Sequence, residues 1–266
     1  MAQNTVETVM GTRAALQEDA VVVKKLRVAF GAKEILKDVS FTVKRGEILV
    51  LMGLSGTGKS TTLRSIAGLL KPNSGEVLVN GRSIPDMPEK ELEILRRRIG
   101  FCFQHGALFD SMTVGENVAF GLREHTKLRE EEIQRIVAEK LSIVDLEGME
   151  HLYPSQLSGG MQKRASFART IATDPDIVLY DEPTTGLDPI ISRVINELIL
   201  DLQRRLKATS LVITHDLKGA YLIATKIIML HQGLPVFFGT PQEFQETDDP
   251  YVVQFREGEM EGPIRV

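Results

Sequence analysis

The sequence predicts an α/β fold whose core is interrupted by a helical insertion and led by an antiparallel β element. Three observations predict it. Glu47–Met52 is a continuous apolar run, as in a strand buried on both faces, and β-like runs recur at Ile177–Asp181 and Ser210–Thr214. Lys59–Leu70 and Pro189–Leu206 carry apolar residues at helical spacing. Between about residues 87 and 172 the pattern turns mostly helical and charged, and β-like runs return only after it.

In order along the chain, residues 1–20 mix Glu7, Arg13, Glu18 and Asp19 with small side chains and read as a loose tail. Val21–Phe30 reads as a strand, Gly31-Ala-Lys33 as a turn and Ile35–Val43, which alternates, as a second strand. Lys44-Arg-Gly46 turns the chain into Glu47–Met52. Gly75–Gly81 is a short strand closed by turns. Within the insertion, Arg96–Arg98 reads as a solvated helix face and Glu130–Glu132 as a helix start. Ile227–Leu230 and Pro235–Phe238 look like late strands. There is no internal repeat and no low-complexity tract.

The bulk composition narrows the function classes. With 266 residues, 42% hydrophobic and 26% charged, the chain has room for one large domain or two small ones. Its single cysteine, Cys102, can form no bridge within the chain, which fits a reducing compartment. A net charge of −4 and a pI near 5.8 leave no basic excess to track phosphate backbones, so no nucleic-acid partner is expected. No apolar run approaches the roughly 20 residues that span a bilayer, and the first residues lack a secretory apolar core. A cytosolic protein that meets membranes only through a partner is the expectation.

The strongest chemical signal is Gly53-Leu54-Ser55-Gly56-Thr57-Gly58-Lys59-Ser60, followed by Thr61. This G-x-x-x-x-G-K-S lies after a buried strand and before a helix, where a phosphate-binding loop belongs. Glycines let successive N–H groups turn inward, and the helix N-terminus adds partial positive charge. Lys59 would reach the β- and γ-phosphates of ATP, and the Ser60 hydroxyl would ligate Mg²⁺. The second signal is Ile177-Val-Leu-Tyr-Asp181-Glu182, an apolar strand ending in two carboxylates. Asp181 is placed to hold the metal and Glu182 to act as general base or to orient the attacking water. Third, Leu157-Ser158-Gly159-Gly160-Met161 precedes a helix, read as Gln162–Ala172, that carries Lys163, Arg164 and Arg169. Ser158 can cap that helix while the glycines expose N–H groups, a second anion-binding helix start.

Placed about one hundred residues after the phosphate loop and twenty before Asp181, that third segment resembles the signature of the ATP-binding-cassette (ABC) family. The resemblance runs from about Val21 to Gly239. It implies a P-loop NTPase cassette with a RecA-like α/β core over residues 21–246, a helical subdomain at about 87–172, and a C-terminal extension at 247–266 that could contact a second copy. It implies that Phe30 stacks on adenine. Gln104 matches the glutamine that touches Mg²⁺ and the water and couples the site to the membrane partner. His215 matches the histidine at the γ-phosphate, and Gly186-Leu187-Asp188 the loop that crosses between subunits. In this family two copies pair head to tail, so that one phosphate loop faces the Ser158–Met161 segment of the other, and an integral membrane permease receives the motion.

Within the family, Phe103-Gln-His-Gly-Ala-Leu-Phe109, Asn117-Val-Ala, Leu122–Thr126, Asp249–Gly258 and Glu261-Gly-Pro263 look like the ATPases of the Mla (maintenance of lipid asymmetry) phospholipid transporters. That likeness implies an MCE-domain protein and a STAS-domain protein as further partners, at the cytoplasmic face of the inner membrane. An importer ATPase for amino acids or another small solute is the alternative. A soluble ABC-type ATPase of DNA repair or translation is more distant, for the coiled coil, zinc cysteines or second cassette usual there do not appear. His105, His125, His151 and His231 show no paired ligand spacing and read as surface or structural residues. Cys102 lacks a basic neighbourhood in sequence and reads as a small buried side chain.

Overall fold

The computed structural model describes residues 18–104 and 106–265. The expected loose tail therefore lies almost wholly outside the described residues, as does His105. The described chain forms two compact units, one running to Leu92 and resuming at Ala224, the other spanning Glu93–Ile223.

In the first unit β1 (Asp19–Phe30) and β2 (Lys33–Lys44) form an antiparallel pair, Val21 opposite Val43 and Phe30 opposite Lys33. Strand β1 begins at Asp19, two residues inside the stretch expected to be tail. Along β2 Leu36, Val39, Phe41 and Val43 are in the core, and from Val39 to Val43 burial alternates, with Ser40 exposed and Thr42 half-buried between them. Strand β3 (Ile48–Met52) is buried at every position, and at roughly 1.5–3 kcal/mol per fully buried aliphatic side chain it is a major anchor of the unit. Helix α1 (Lys59–Ile66) follows. It ends four residues short of Leu70, because Gly68 turns left-handed at φ 65° and a Cβ there would sit 2.5 Å from Leu92 Cδ1. Strand β4 (Ser74–Val79) lies antiparallel on the other side of β1, and β5 (Arg82–Ser83) pairs back on β4. Helix α2 (Glu89–Arg96) comes next.

The second unit opens with a correction. Ile99–Cys102 is a strand, β6, inside the stretch expected to be mostly helical. Arg98 lies beyond the end of α2 and pairs with Asp176 at 2.7 Å, so Arg96–Arg98 is not one solvated helix face. Helix α3 (Val114–His125) is closed at its start by a capping box between Thr113 and Glu116. Helix α4 (Glu130–Ile143) begins with the three glutamates, as expected. Helix α5 (Gly159–Ile171) starts three residues earlier than expected, so both glycines belong to its first turn. Strand β7 (Ile177–Asp181) is buried throughout and parallel to β6 on one side. Helix α6 (Pro189–Leu206) leads to β8 (Thr209–Ile213), parallel to β7 on its other side, and α7 (Leu217–Ile223) closes the unit. Parallel pairing leaves the carboxyl ends of β7 and β8 side by side, the edge where α/β sheets bind ligands.

Back in the first unit, β9 (Lys226–His231) runs parallel to β3 and antiparallel to β10 (Leu234–Gly239). Helices α8 (Pro241–Glu246) and α9 (Pro250–Glu257) finish the chain. The buried Gln254 amide holds the last described residues, donating to Ile264 O at 3.0 Å and accepting from Ile264 N at 2.7 Å. Among the described residues no helix is long and apolar enough to cross a membrane.

Candidate nucleotide-binding and hydrolysis site

In the first unit the loop leaving β3 has the backbone its glycines were expected to allow. Gly53, Gly56 and Gly58 all have positive φ, at 131°, 79° and 101°. Two of them are also walled in. A Cβ at Gly53 would stand 2.2 Å from Leu230 O, and one at Gly58 would stand 2.3 Å from Leu36 Cδ2. Gly58 is the N-cap of α1 and offers no side-chain hydrogen bond to its first turn, the end of a helix that attracts an anion. Lys59 is 5% exposed and its Nζ donates to Gly53 O and Leu54 O, both at 2.8 Å, drawing the loop into a ring. The Thr57 hydroxyl adds a bond to Leu54 O at 2.9 Å. Leu54, Ser55 and Gly56 are exposed at the rim, and Ser60 and Thr61 follow Lys59 on the first turn of α1.

In the second unit the ends of β7 and β8 gather four residues that the sequence had singled out separately. Asp181 is 7% exposed at the tip of β7. Glu182 follows at φ 50°, a left-handed conformation that costs a non-glycine residue about 1–2 kcal/mol and is held here by its N–H bond to Ile213 O at 3.0 Å. Its Oε2 accepts from Gln104 Nε2 at 3.1 Å and from Thr185 Oγ1 at 2.8 Å. His215 Nδ1 stands 3.9 Å from the same oxygen. The histidine is turned outward where Asp216 N–H bonds back to Thr214 Oγ1 at 3.0 Å, and its side chain is 63% exposed.

The starts of α5 and α6 lie together. Ser158 caps α5, its Oγ accepting from Met161 N at 3.3 Å. Asp188 caps α6, its Oδ1 accepting from Ile190 N at 2.9 Å and Ile191 N at 3.0 Å. A Cβ on Gly160 would lie 2.9 Å from Ile191 Cγ2, so Gly160 is needed for the close approach, whereas one on Gly159 would meet only ordinary contact at 3.7 Å from Leu187. The three cations of α5 do not face its N-terminus. Lys163, driven below the usual lysine pKa by burial, donates to Gln104 O; Arg164 holds Val144 O and Asp145 O, both at 3.2 Å. Arg169 reaches Ala107 O and lies over the Phe109 ring at 5.5 Å.

Phe30, at the end of β1, is 56% exposed. Cys102 is fully buried, as expected, but does have basic neighbours in Lys163 and Arg169. Burial outweighs them and the Ser166 hydrogen bond, and pushes the thiol up to about 11. His231 packs against the Tyr251 ring at 5.1 Å between centroids. Among the described residues no cluster of three His, Cys, Asp or Glu side chains could cage a metal alone. Within the second unit the Asp181 carboxylate and the Gln104 amide offer oxygen donors, the ligand type that Mg²⁺ takes when it uses one or two carboxylates together with substrate phosphates.

Residues 36–185 match the family described as ABC transporter. The chain belongs to the ABC transporter family. This cassette is 42% identical over 250 residues to the intermembrane phospholipid transport system ATP-binding protein MlaF of Haemophilus influenzae, covering 94% of this chain and 95% of that one. It is 44% identical over 245 residues to the probable ribonucleotide transport ATP-binding protein mkl of Mycobacterium leprae, covering 92% of this chain and 71% of that one. Among solved structures it is similar to the dimeric, post-hydrolysis ATP-binding cassette MJ0796 bound to ADP and Pi. The TM-score is 0.76 at 34% identity, over 83% of this chain and 98% of that one. The cassette is accordingly an ABC-type ATPase with an α/β core. Two contacts on its carboxylate side had no sequence signal: Thr185 on Glu182, and Lys163 on the backbone of Gln104.

Proposed function

We propose that this cassette is the ATP-hydrolysing subunit of a transporter that moves phospholipid between membranes, working as a head-to-tail pair beneath an integral membrane permease. The observation that supports hydrolysis best is the Glu182 carboxylate, fixed at the tip of β7 by Gln104 and Thr185 with His215 3.9 Å away. In this reading the N–H groups of Gly53–Thr61 cradle the phosphates and Lys59 leaves its carbonyl partners to neutralise the β- and γ-oxygens. Ser60, Asp181 and Gln104 hold Mg²⁺, which when bound neutralises charge developing on the transferred phosphoryl group. Glu182 takes the proton of the attacking water, His215 binds the γ-phosphate and Phe30 stacks on adenine. The partner copy supplies Ser158, Gly159, Gly160 and Met161 from the opposite side, and Asp188 anchors the loop that crosses between copies. Loss of the γ-phosphate removes the charge that both helix starts attract, and the pair reopens.

For the cargo, the support is the nearly end-to-end likeness to MlaF. It suggests an MCE-domain protein and a STAS-domain protein as further partners at the cytoplasmic face of the inner membrane, and no nucleic acid. A small-solute cargo is the second reading, favoured by the printed name of the 44%-identical mkl relative. Purification from mild detergent followed by reconstitution into vesicles separates the two. Bound phospholipid, an MCE protein and ATP-dependent lipid movement support the first; a co-purifying solute-binding protein overturns it. In the same vesicles Glu182→Gln should lower ATP hydrolysis about 10²-fold or more and stop transport with it. Full hydrolysis by that variant would remove Glu182 as the base.

A further inference from the structure

Thr185 has no part in the motifs read from the sequence, yet its hydroxyl makes the shorter of the two hydrogen bonds to the Glu182 carboxylate, 2.8 Å against 3.1 Å for Gln104. Both donors meet the same oxygen, Oε2, which is also the one that His215 approaches. The two donors differ in how firmly they are held. Gln104 is a long side chain two residues before Gly106, whose φ is 74°, and in the proposed mechanism its amide is also drawn to Mg²⁺. Thr185 is β-branched, with few χ1 rotamers, and sits three residues from Glu182 in a turn closed by its own backbone, where Thr185 N–H donates to Glu182 O at 3.3 Å. The hydroxyl therefore does not make the turn; the turn presents the hydroxyl. Asp181 N-terminal to the turn and Thr184 within it are buried, so the frame that carries Thr185 is fixed on both sides.

We propose that Thr185 is a positioning residue for hydrolysis: its hydroxyl holds the Glu182 carboxylate in line for the attacking water when Gln104 is committed to the metal. A carboxylate on three rotatable bonds otherwise samples orientations in which neither oxygen faces the water, and misplacement by about 1 Å costs up to about 10²-fold in rate. Thr185 touches neither water nor nucleotide in this scheme and acts only through Glu182. The proposal rests on Glu182 being the base.

The test uses the assembled transporter in vesicles with Thr185→Val, which keeps the shape and the backbone turn and deletes the donor, and Thr185→Ser, which keeps the donor and deletes the methyl. The Val variant should lose about 10-fold in kcat with KM for ATP and nucleotide affinity unchanged within about twofold, the signature of an interaction used in the chemical step and not in ground-state binding. The Ser variant should recover to within about threefold of the parent. In single-turnover measurements, adding Thr185→Val to Glu182→Gln should cost nothing further, because a residue acting only through another is silent once that other is gone. A Val variant with unchanged kcat overturns the proposal, as does a Ser variant as impaired as Val, which would place the effect in the methyl group. Glu182→Gln keeping full activity would instead bring down the reading of the base itself.

Discussion

Lys59 shows how a residue chosen for a ligand can also hold its own loop. With Nζ bonded to Gly53 O and Leu54 O, it is satisfied before any nucleotide arrives, and the phosphate must offer a better acceptor than two carbonyls. Lys59→Ala therefore loses both the loop's internal tie and the cation, and nucleotide affinity should fall about 10- to 100-fold, the worth of a charged hydrogen bond at about 1.5–3 kcal/mol. Isothermal titration with ATP measures it, and unchanged affinity would end the phosphate-loop reading. At this scale much of the candidate site was legible, because the glycines, Lys59, Asp181, Glu182 and Ser158 carry their chemistry in fixed local spacing. Thr185 and Lys163 were not legible, since a hydroxyl three residues on and a lysine on a distant helix acquire meaning only once folding sets them against Glu182 and Gln104.

At the scale of elements, legibility followed burial. Strands β3, β7 and β8 stand out in the sequence because both faces are covered and each carries at least three consecutive apolar residues. Strand β6 does not: four residues, one of them glycine, after three arginines carry no period of their own, and Ile99–Cys102 becomes a strand by pairing with β7. Its Gly100 is fixed by packing too, since a Cβ would lie 2.8 Å from Thr170 Cγ2 and 2.9 Å from Thr170 O. The helix starts separate two glycines that look alike in sequence. Gly160→Ala should crowd Ile191 and destabilise the protein by about 1 kcal/mol or more, while Gly159→Ala should fold with the parent's stability. Thermal unfolding of the pair checks this; equal midpoints would show that α5 and α6 do not need the close approach.

For the molecule as a whole, the proposed pairing puts the phosphate loop of one copy against the α5 start of another, and that arrangement can be trapped directly. Ser55 is exposed on the loop rim, and Gly159 has room for a Cβ. Ser55→Cys and Gly159→Cys made in separate preparations and mixed should crosslink with a short reagent when ATP is present in the Glu182→Gln background, and should not without it. Crosslinking that ignores nucleotide, or fails with nucleotide saturating, would contradict the head-to-tail pair. The compact units divide at Leu92 and Ala224, positions marked by no linker composition.

The burial of Cys102 decides how clean such an experiment is. A thiol shifted to about 11 is ionised in only about one molecule in a thousand at pH 8, and no reagent reaches a side chain that is fully enclosed. The native chain thus gives a silent background to sulfhydryl chemistry. A spin label, fluorophore or mass tag placed on any surface position reports from that position alone, with the natural cysteine left where its packing needs it.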